Sequence, residues 1–456
     1  MSSKSRSRRR AIGIAFAVLI IAVFASPQFQ NIRNVPASIR LTPGQLQEIV
    51  VGMPLGVSVR ADQSDLVKLN GREAVAGVWS VNLWRPVAIE PQALGRVNLE
   101  FRFFGFIPFK KMVVEVVPRV SLVPGGQSIG VLLAADGVLV VGHDSILGPD
   151  GKIHRPALEA GIVKGDVILR INGRRLYGDD EAKDLIDQLG RLAKPIDIEY
   201  RHQGLTLTAN VRPVFCRETG RFRVGLLIRD AAAGVGTLSF YDPESLRYAA
   251  LGHIITDIDT NQALTIDDGR IVSATVSGIE QGKRGQPGEK IGAYLEGQDP
   301  IGTIDNNTPF GIGGKLRAAL VNDLYTSPLP LAFSQEVTEG PAEILTVVEG
   351  DRLEKFAVQI QKVVRQSKPD TKGLVIRVTD PRLLARTGGI VQGMSGSPII
   401  QDGRIVGAVT HVFVNDPARG YGVLAEWMAA EMGLFRRGSV TRLEGVEPPP
   451  SGLQKT

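Results

Sequence analysis

The amino-acid sequence predicts a mostly β, multidomain protein with an apolar segment near its N-terminus. The chain has 456 residues, which is more than one hydrophobic core usually organises. Short runs of β-branched and aromatic residues alternate with turn residues, and the chain holds 52 glycines and 27 prolines. This pattern is typical of all-β domains. The 43% hydrophobic and 22% charged content is that of globular protein and excludes a disordered or fibrous chain.

Residues 1–29 predict a targeting segment. Five basic residues before residue 11 precede "AIGIAFAVLIIAVFA", residues 11–25, which carries no charge. Such a pattern is typical of a signal peptide or short signal anchor with its basic end in the cytoplasm. Cleavage before Ser26 and retention as an anchor both remain open, and a buried core helix is the third alternative. Residues from about 30 onward are expected outside the cytoplasm, membrane-anchored or secreted.

The next two segments differ in pattern. Residues 30–117 predict a small β-rich domain, without residues that suggest a catalytic role.

Residues 118–213 resemble a PDZ domain, a family that binds extended peptides by adding a strand beside a helix. The resemblance places the carboxylate-binding loop at "QSIGV". Its predicted peptide-binding residues are Gln127, Ser128, Ile129, Gly130 and Val131. A β/α module without peptide binding is the alternative.

Residues 214–440 predict an all-β barrel pair or sandwich, because many short strand-like runs are separated by glycine and proline. The tail 441–456 is expected to be disordered.

Cys216 is the only cysteine, so no internal disulfide is possible, and a buried structural thiol is the expected role. The basic residues at the N-terminus account for most of the net charge of +6, and no basic stripe suggests nucleic acid.

The segment "GMSGSP" suggests a nucleophilic serine. Gly393 and Gly396 allow close backbone approach to a substrate, and the N–H groups of Gly393 and Ser395 are the predicted oxyanion hole. The following "PIIQDGRIVGAVTH" predicts a hairpin that braces the loop. The segment resembles the G-x-S-G-[GS]-P signature of chymotrypsin-like serine peptidases, with Met394 where Asp or Asn is commoner. A structural turn is the alternative.

A serine nucleophile needs a base. Of five histidines, His253 precedes Ser395, as in two-barrel peptidases. His411 is the competing base, but its position after the serine suits a pocket-lining role. Asp380 is the candidate acid, although it lies only 15 residues before the serine. No cofactor or metal is expected: the segment from Asp257 resembles a calcium loop only in part, since it lacks the required glycine.

Several longer segments resemble the SpoIVB peptidase family of endospore-forming bacteria. They are "ALGHIITDIDT", "PFGIGGKL", "GPAEILTV", "TDPRLL" and "TGGIVQGMSGSPIIQDGRIVGAVTHVFVNDP". The resemblance implies Ser395 as nucleophile, His253 as general base and Asp380 as orienting acid. It also implies self-cleavage and cleavage of a membrane-bound regulator of an intramembrane metalloprotease that activates a late sigma factor, in the space between forespore and mother-cell membranes. A non-catalytic PDZ-containing membrane scaffold is the alternative.

Overall fold

The computed structural model describes residues 35–435, except 53–54, 177, 257–265, 294–298, 365 and 367. The predicted targeting segment and the predicted C-terminal tail lie outside the described residues. Strands predominate, which confirms the mostly β fold class. None of the described helices has the length and hydropathy needed to cross a membrane.

The N-terminal domain contains eight described strands. They are β1 (Ser38–Leu41), β2 (Gln47–Ile49), β3 (Gly56–Ala61), β4 (Val67–Leu69), β5 (Val78–Asn82), β6 (Val87–Pro91), β7 (Gly95–Phe103) and β8 (Ile107–Val116). Five of them form a sheet in the order β1-β8-β7-β3-β5, and three form a sheet in the order β2-β6-β4. Alternate residues such as Val97, Leu99 and Phe101 point into a core of their own, as expected for strands with one buried face.

The central part of the chain mixes strands with two helices. Its elements are β9 (Ser121–Pro124), β10 (Ser128–His143), β11 (Ile146–Leu147), β12 (Ile153–His154), α1 (Pro156–Glu159), β13 (Val167–Ile171), β14 (Arg174–Arg175), α2 (Asp179–Gly190), β15 (Ile196–His202), β16 (Leu205–Val211), β17 (Val214–Cys216) and β18 (Arg221–Arg223). The apolar face of α2, with Leu185 and Ile186, shares a buried core with β13 and β15. This PDZ-like module spans about residues 138–228.

The next part forms a half-barrel. Its strands are β19 (Leu226–Tyr241), β20 (Arg247–Ala250), β21 (Ile266–Ser273), β22 (Thr275–Glu280), β23 (Glu289–Ala293), β24 (Gly302–Thr303), β25 (Asn306–Thr308), β26 (Gly311–Lys315) and β27 (Leu329–Pro330). β20 lies between β19 and β26, and β25 follows β26. β22 and β23 form a separate two-stranded sheet.

The long strands β10 and β19 belong to both units. The second half of β10 pairs with β13 in the PDZ-like module, whereas its first half lies between β19 and β21 in the half-barrel. The structure thus differs from the sequence-based order of separate segments, 118–213 followed by 214–440, because residues 121–135 contribute to the half-barrel. Strand-like patterning shows that a segment is half-buried, but it does not show which strand is its partner.

The last part is a closed six-stranded barrel. Its strands are β28 (Gly340–Val347), β29 (Leu353–Val363), β30 (Leu374–Val378), β31 (Pro398–Gln401), β32 (Arg404–Phe413) and β33 (Asp416–Leu424), with helices α3 (Pro381–Thr387) and α4 (Ala425–Glu431). The predicted hairpin is β31 and β32, joined at Asp402 and Gly403, which both have positive φ. A shared hydrophobic cluster that includes Phe240 and Val423 joins this barrel to the half-barrel.

Candidate active site

The candidate nucleophile lies in a loop, residues 388–397, that connects α3 to β31. Gly393 and Gly396 have φ of 88° and 97°, a region that favours glycine. A Cβ on Gly396 would lie 2.0 Å from the carbonyl oxygen of Thr237, and one on Gly393 would lie 3.0 Å from the side chain of Lys290. Both glycines are therefore needed for this loop to pack against the half-barrel.

Ser395 is half-buried, and its hydroxyl is already engaged. Its Oγ donates a hydrogen bond of 2.7 Å to the carbonyl oxygen of Thr410 on β32. A peptide carbonyl cannot remove the proton, so this is a resting orientation of the nucleophile. Attack on a substrate requires the hydroxyl to rotate toward a base.

The predicted oxyanion hole is open. Within the described residues, neither the N–H of Gly393 nor that of Ser395 donates a hydrogen bond, whereas the amides of Met394 and Gly396 donate to the carbonyl oxygens of Val391 and Val409. Amide groups left free beside a nucleophile can bind the oxygen of a tetrahedral intermediate. The geometry is consistent with the oxyanion role predicted from the sequence.

Thr237, on β19, ties the nucleophile loop to the half-barrel. Its hydroxyl donates to the carbonyl oxygen of Gly393 at 2.7 Å. Its backbone N–H donates to the carbonyl oxygen of Ser395 at 3.1 Å, and its own carbonyl accepts from Leu251 at 3.2 Å. Thr237 is fully buried. One residue therefore contacts both the nucleophile loop and the segment leading to His253, and the sequence pattern contained no signal for it.

His253 follows β20 in the half-barrel, directly after Leu251 and Gly252, which both have positive φ. A Cβ on Gly252 would lie 2.9 Å from the side chain of Thr410, so this segment packs against the strand that holds the Ser395 hydroxyl. The two predicted residues thus come from different barrels, on segments that pack against each other. No hydrogen bond joins His253 to Ser395 within the described residues.

The protonation of His253 suits a base. Its Nδ1 lies 2.9 Å from the carbonyl oxygen of Ile254; because a carbonyl only accepts, Nδ1 carries the hydrogen and Nε2 of the neutral ring is left as acceptor. Burial lowers the pKa of His253 below its ordinary value. The ring is therefore neutral near pH 7, as a general base must be.

His411 lies beside His253 with ring centroids 5.2 Å apart. His411 is exposed as a residue, although its ring is partly desolvated by its neighbours. The pKa of His411 is lowered to about 4. The largest cause is partial desolvation, and repulsion from His253 and Lys372 adds to it. The pocket-lining role expected from the sequence stays a prediction.

The structure places Asp380 away from the predicted triad geometry. Asp380 is the N-cap of α3, where it accepts a hydrogen bond of 2.9 Å from the backbone of Arg382 and pairs with the Arg382 guanidinium at 2.9 Å. The Arg382 side chain, chiefly, lowers the pKa of Asp380 to about 2. In the described part of the chain it makes no hydrogen bond to a histidine. A carboxylate before Pro381 is a common helix cap, and this competing role explains the difference.

Lys290 is a buried residue that sequence analysis missed. The irregular pattern of 281–330 suggests loop-rich surface, yet Lys290 lies on β23, is 2% exposed, and donates from Nζ to the Thr346 hydroxyl at 2.8 Å. Its stem packs under Gly393. Desolvation lowers the pKa of Lys290 to about 7. Buried lysines without a carboxylate are uncommon, but short sequence context does not reveal one.

The predicted PDZ carboxylate loop also differs in place. Ser128 to Val131 start β10 in the half-barrel, directly after Gln127, and Ile129 and Val131 are buried in its core. Their amides face the β19 and β21 ladders rather than an open groove beside α2. The resemblance rested on a glycine-rich turn before a strand, and this turn serves the half-barrel sheet instead.

The calcium-like segment, which begins at Asp257, lies outside the described residues in nearly its whole length. Among the described residues, no group of three or more His, Cys, Asp or Glu side chains is arranged to hold a metal ion. Cys216 is free and buried.

A half-barrel that carries a histidine, packed against a closed barrel that carries a serine between two glycines, defines a serine peptidase of the two-barrel class. Residues 220–429 match the family model described as SpoIVB peptidase S55. The match covers a little under half of the chain. The prediction of a serine endopeptidase is thereby confirmed.

Two solved structures are similar to parts of the chain. One is the PDZ domain of an SdrC-like protein from Listeria monocytogenes, with 24% identity, 20% of this chain and 87% of that chain covered, and a TM-score of 0.17. The other is Rv3671c from Mycobacterium tuberculosis H37Rv, a serine-to-alanine mutant in an inactive form, with 16% identity, 44% and 82% coverage, and a TM-score of 0.22. No curated protein matches the chain.

Proposed function

We propose that this serine endopeptidase acts outside the cytoplasm, cleaves itself, and then cleaves a membrane-bound regulator in a sporulation signalling pathway. The match of residues 220–429 to the SpoIVB peptidase family carries the proposal. The basic and apolar residues 1–29 support an extracytoplasmic, membrane-associated location. The regulator would restrain an intramembrane metalloprotease that activates a late sigma factor, as the family resemblance implies.

The proposed mechanism is acyl transfer in two steps. The Ser395 hydroxyl leaves the Thr410 carbonyl and gives its proton to Nε2 of His253, while Oγ attacks the scissile carbonyl. The free amides of Gly393 and Ser395 bind the oxyanion. His253 then protonates the leaving amine, and water, with His253 again as base, hydrolyses the acyl-enzyme.

The orienting partner of His253 in this mechanism is the Ile254 carbonyl. It holds the Nδ1 hydrogen at 2.9 Å and so fixes the tautomer that a carboxylate fixes in a triad. The family resemblance assigns that role to Asp380, which would have to leave Arg382 to reach the imidazole. Substitution of Asp380 distinguishes these two possibilities, as argued in the Discussion.

The decisive experiment treats the full chain with a fluorophosphonate and follows its fragments by mass spectrometry. The wild-type chain should be labelled on Ser395 and should shorten with time, whereas Ser395→Ala should show neither reaction and keep the same melting temperature. His253→Ala should also abolish labelling. Unlabelled wild-type protein whose fragments match those of Ser395→Ala would contradict the proposal and favour the scaffold alternative.

A further inference from the structure

A cluster of apolar side chains is exposed at one end of the N-terminal five-stranded sheet, where strands β7, β8, β3 and β5 begin or end. This cluster is here called the apolar edge. Its members are Leu55, Trp84, Phe104, Phe106 and Ile107, which are 41%, 63%, 78%, 70% and 45% exposed. Single exposed apolar residues are ordinary on protein surfaces, but three aromatic and two aliphatic residues along one edge mark an interaction site.

The strand register brings these residues together. β7 and β8 form a hairpin in which Phe103 pairs with Ile107, so that Phe104 and Phe106 occupy the tip. Val57 of β3 pairs with Phe103, and Gly56 pairs with Asn82 of β5. The residues just before β3 and just after β5 therefore emerge at the same edge as the tip, and Leu83 donates a hydrogen bond of 3.0 Å to the carbonyl oxygen of Leu55.

Two basic residues lie close in sequence to the apolar edge: Arg85, which is exposed, and Lys110, which is half-buried. Arg85 follows Trp84, and Lys110 lies three residues after Ile107 on β8. Neither forms an ion pair within the described residues, whereas the nearby Glu100 is paired with Arg102 and Lys111. An apolar rim with aromatic residues, backed by cations, is the arrangement of interfacial segments that insert at the boundary between lipid headgroups and acyl chains.

The direction of β1 places the incoming chain on the same side. β1 runs parallel to β8, and Ser38 pairs with Val113. The described residues 35–37 therefore enter β1 from the Ile107 end of β8, where the apolar edge lies. The twelve residues 26–37 can span at most about 40 Å, while the six residues from Ile107 to Val113 cover roughly 20 Å. The apolar run 11–25 is thus within reach of the plane of the edge.

From these observations we infer that the apolar edge docks onto a lipid bilayer, with Phe104, Phe106 and Trp84 in the interfacial zone and anionic headgroups against Arg85 and Lys110. The docked edge orients the N-terminal domain on the membrane from which the chain emerges. This inference does not depend on peptidase activity.

The test measures how deeply Trp84 enters a bilayer. The full chain carrying Ser395→Ala, which prevents self-cleavage, is reconstituted into vesicles of phosphatidylcholine and phosphatidylglycerol with bromine on the acyl chains. Brominated lipid should quench Trp84 fluorescence. A Trp84→Phe variant gives the background from Trp79 and Trp427, which are buried.

Paired substitutions make the result specific. Phe104→Ser with Phe106→Ser should reduce Trp84 quenching at least threefold, whereas Leu205→Ser with Leu207→Ser, on exposed residues of β16, should leave it unchanged. Arg85→Gln with Lys110→Gln should weaken quenching only in vesicles containing phosphatidylglycerol. Absence of Trp84 quenching in the parent chain would overturn the inference. So would a parent dimer that the phenylalanine substitutions dissociate, because the edge would then bind a second copy.

Discussion

At the scale of single residues, Thr237 is the clearest candidate for a positioning residue outside the proposed catalytic pair, Ser395 and His253. Three hydrogen bonds link it to Gly393, Ser395 and Leu251. Because a buried hydroxyl that bonds a loop carbonyl restricts the loop, its loss should leave substrate binding largely intact and impair the step in which the oxyanion forms.

Thr237→Val should therefore lower kcat by about tenfold to a hundredfold while KM changes little. The reason is that Val keeps the volume but leaves the Gly393 carbonyl without its donor. Steady-state kinetics on a peptide substrate measure the split. Thr237→Ser, which keeps the hydroxyl, should restore most of kcat. Equal loss in both variants would assign the effect to packing.

Lys290 should give the protein a pH-dependent stability. The pKa of the folded-state lysine is about 7, below the ordinary 10.5, because burial disfavours the charged form. Between these two values the unfolded chain binds the proton and the folded chain does not. The free energy of unfolding should consequently rise with pH in this window, by up to about 1.4 kcal/mol per pH unit, and should be lowest below pH 7.

The double variant Lys290→Met with Thr346→Val removes both hydrogen-bonding partners. It should flatten the increase of stability between pH 7 and 10 and should be more stable than wild type at pH 6. Urea unfolding at several pH values measures both effects. A pH dependence identical to that of wild type would mean that Lys290 is not buried as a neutral amine.

At the scale of elements, Asp380 stabilises the start of α3. Asp380→Ala removes the cap and should lower the free energy of unfolding by about 1–2 kcal/mol; the ion pair with Arg382 adds a smaller amount, because the guanidinium is exposed although Asp380 is buried. The folded-state pKa of Asp380 is about 2, below the ordinary 3.8. Its contribution is therefore full above pH 3.8 and lost as the pH falls toward 2.

Asp380→Asn separates capping from catalysis. Asparagine also caps helices, so this variant should keep the cap and lose only the smaller contribution of the carboxylate charge beside Arg382; its stability should lie near that of wild type and above that of Asp380→Ala. It should also keep its kcat, because the Ile254 carbonyl holds the Nδ1 hydrogen of His253. Thermal melts and steady-state kinetics on the same samples check both statements. A kcat reduced by orders of magnitude at unchanged stability would establish Asp380 as the orienting acid.

At the scale of the whole molecule, β10 and β19 make the PDZ-like module and the half-barrel one mechanical unit. Ile168 is fully buried in the module and pairs with Val138 of β10. Ile168→Ala should cost about 2–5 kcal/mol. The shared strands also carry Thr237, which contacts the nucleophile loop. In Ile168→Ala, the temperature at which half of the peptidase activity is lost should therefore fall together with the melting temperature of the PDZ-like module.

Leu99→Ala is the matched control. Leu99 is equally buried, but its core lies in the N-terminal domain, which shares no strand with the half-barrel. This variant should destabilise that domain and leave the midpoint of peptidase inactivation nearly unchanged. Inactivation midpoints that fall equally in both variants would contradict the special coupling through β10 and β19.

The sequence by itself determined the class of fold and predicted which residues carry the chemistry. Ser395 between two glycines and His253 in a preceding apolar strand are local patterns, and β-branched runs with turn residues indicate strands without reference to their neighbours. The resemblance to the SpoIVB peptidase family rests on the same short segments. These features can be predicted from the sequence because each depends on residues that are close together in the chain.

Only the tertiary structure decided which strands pair and what each polar group contacts. Gln127 to Val131 belong to the half-barrel because β10 pairs with β21 there, a choice set by contacts more than 130 residues apart. Asp380 forms an ion pair with Arg382. Thr237 and Lys290 matter to the site because they contact the nucleophile loop. Strand register and burial of polar groups depend on distant partners, so local patterns could not specify them.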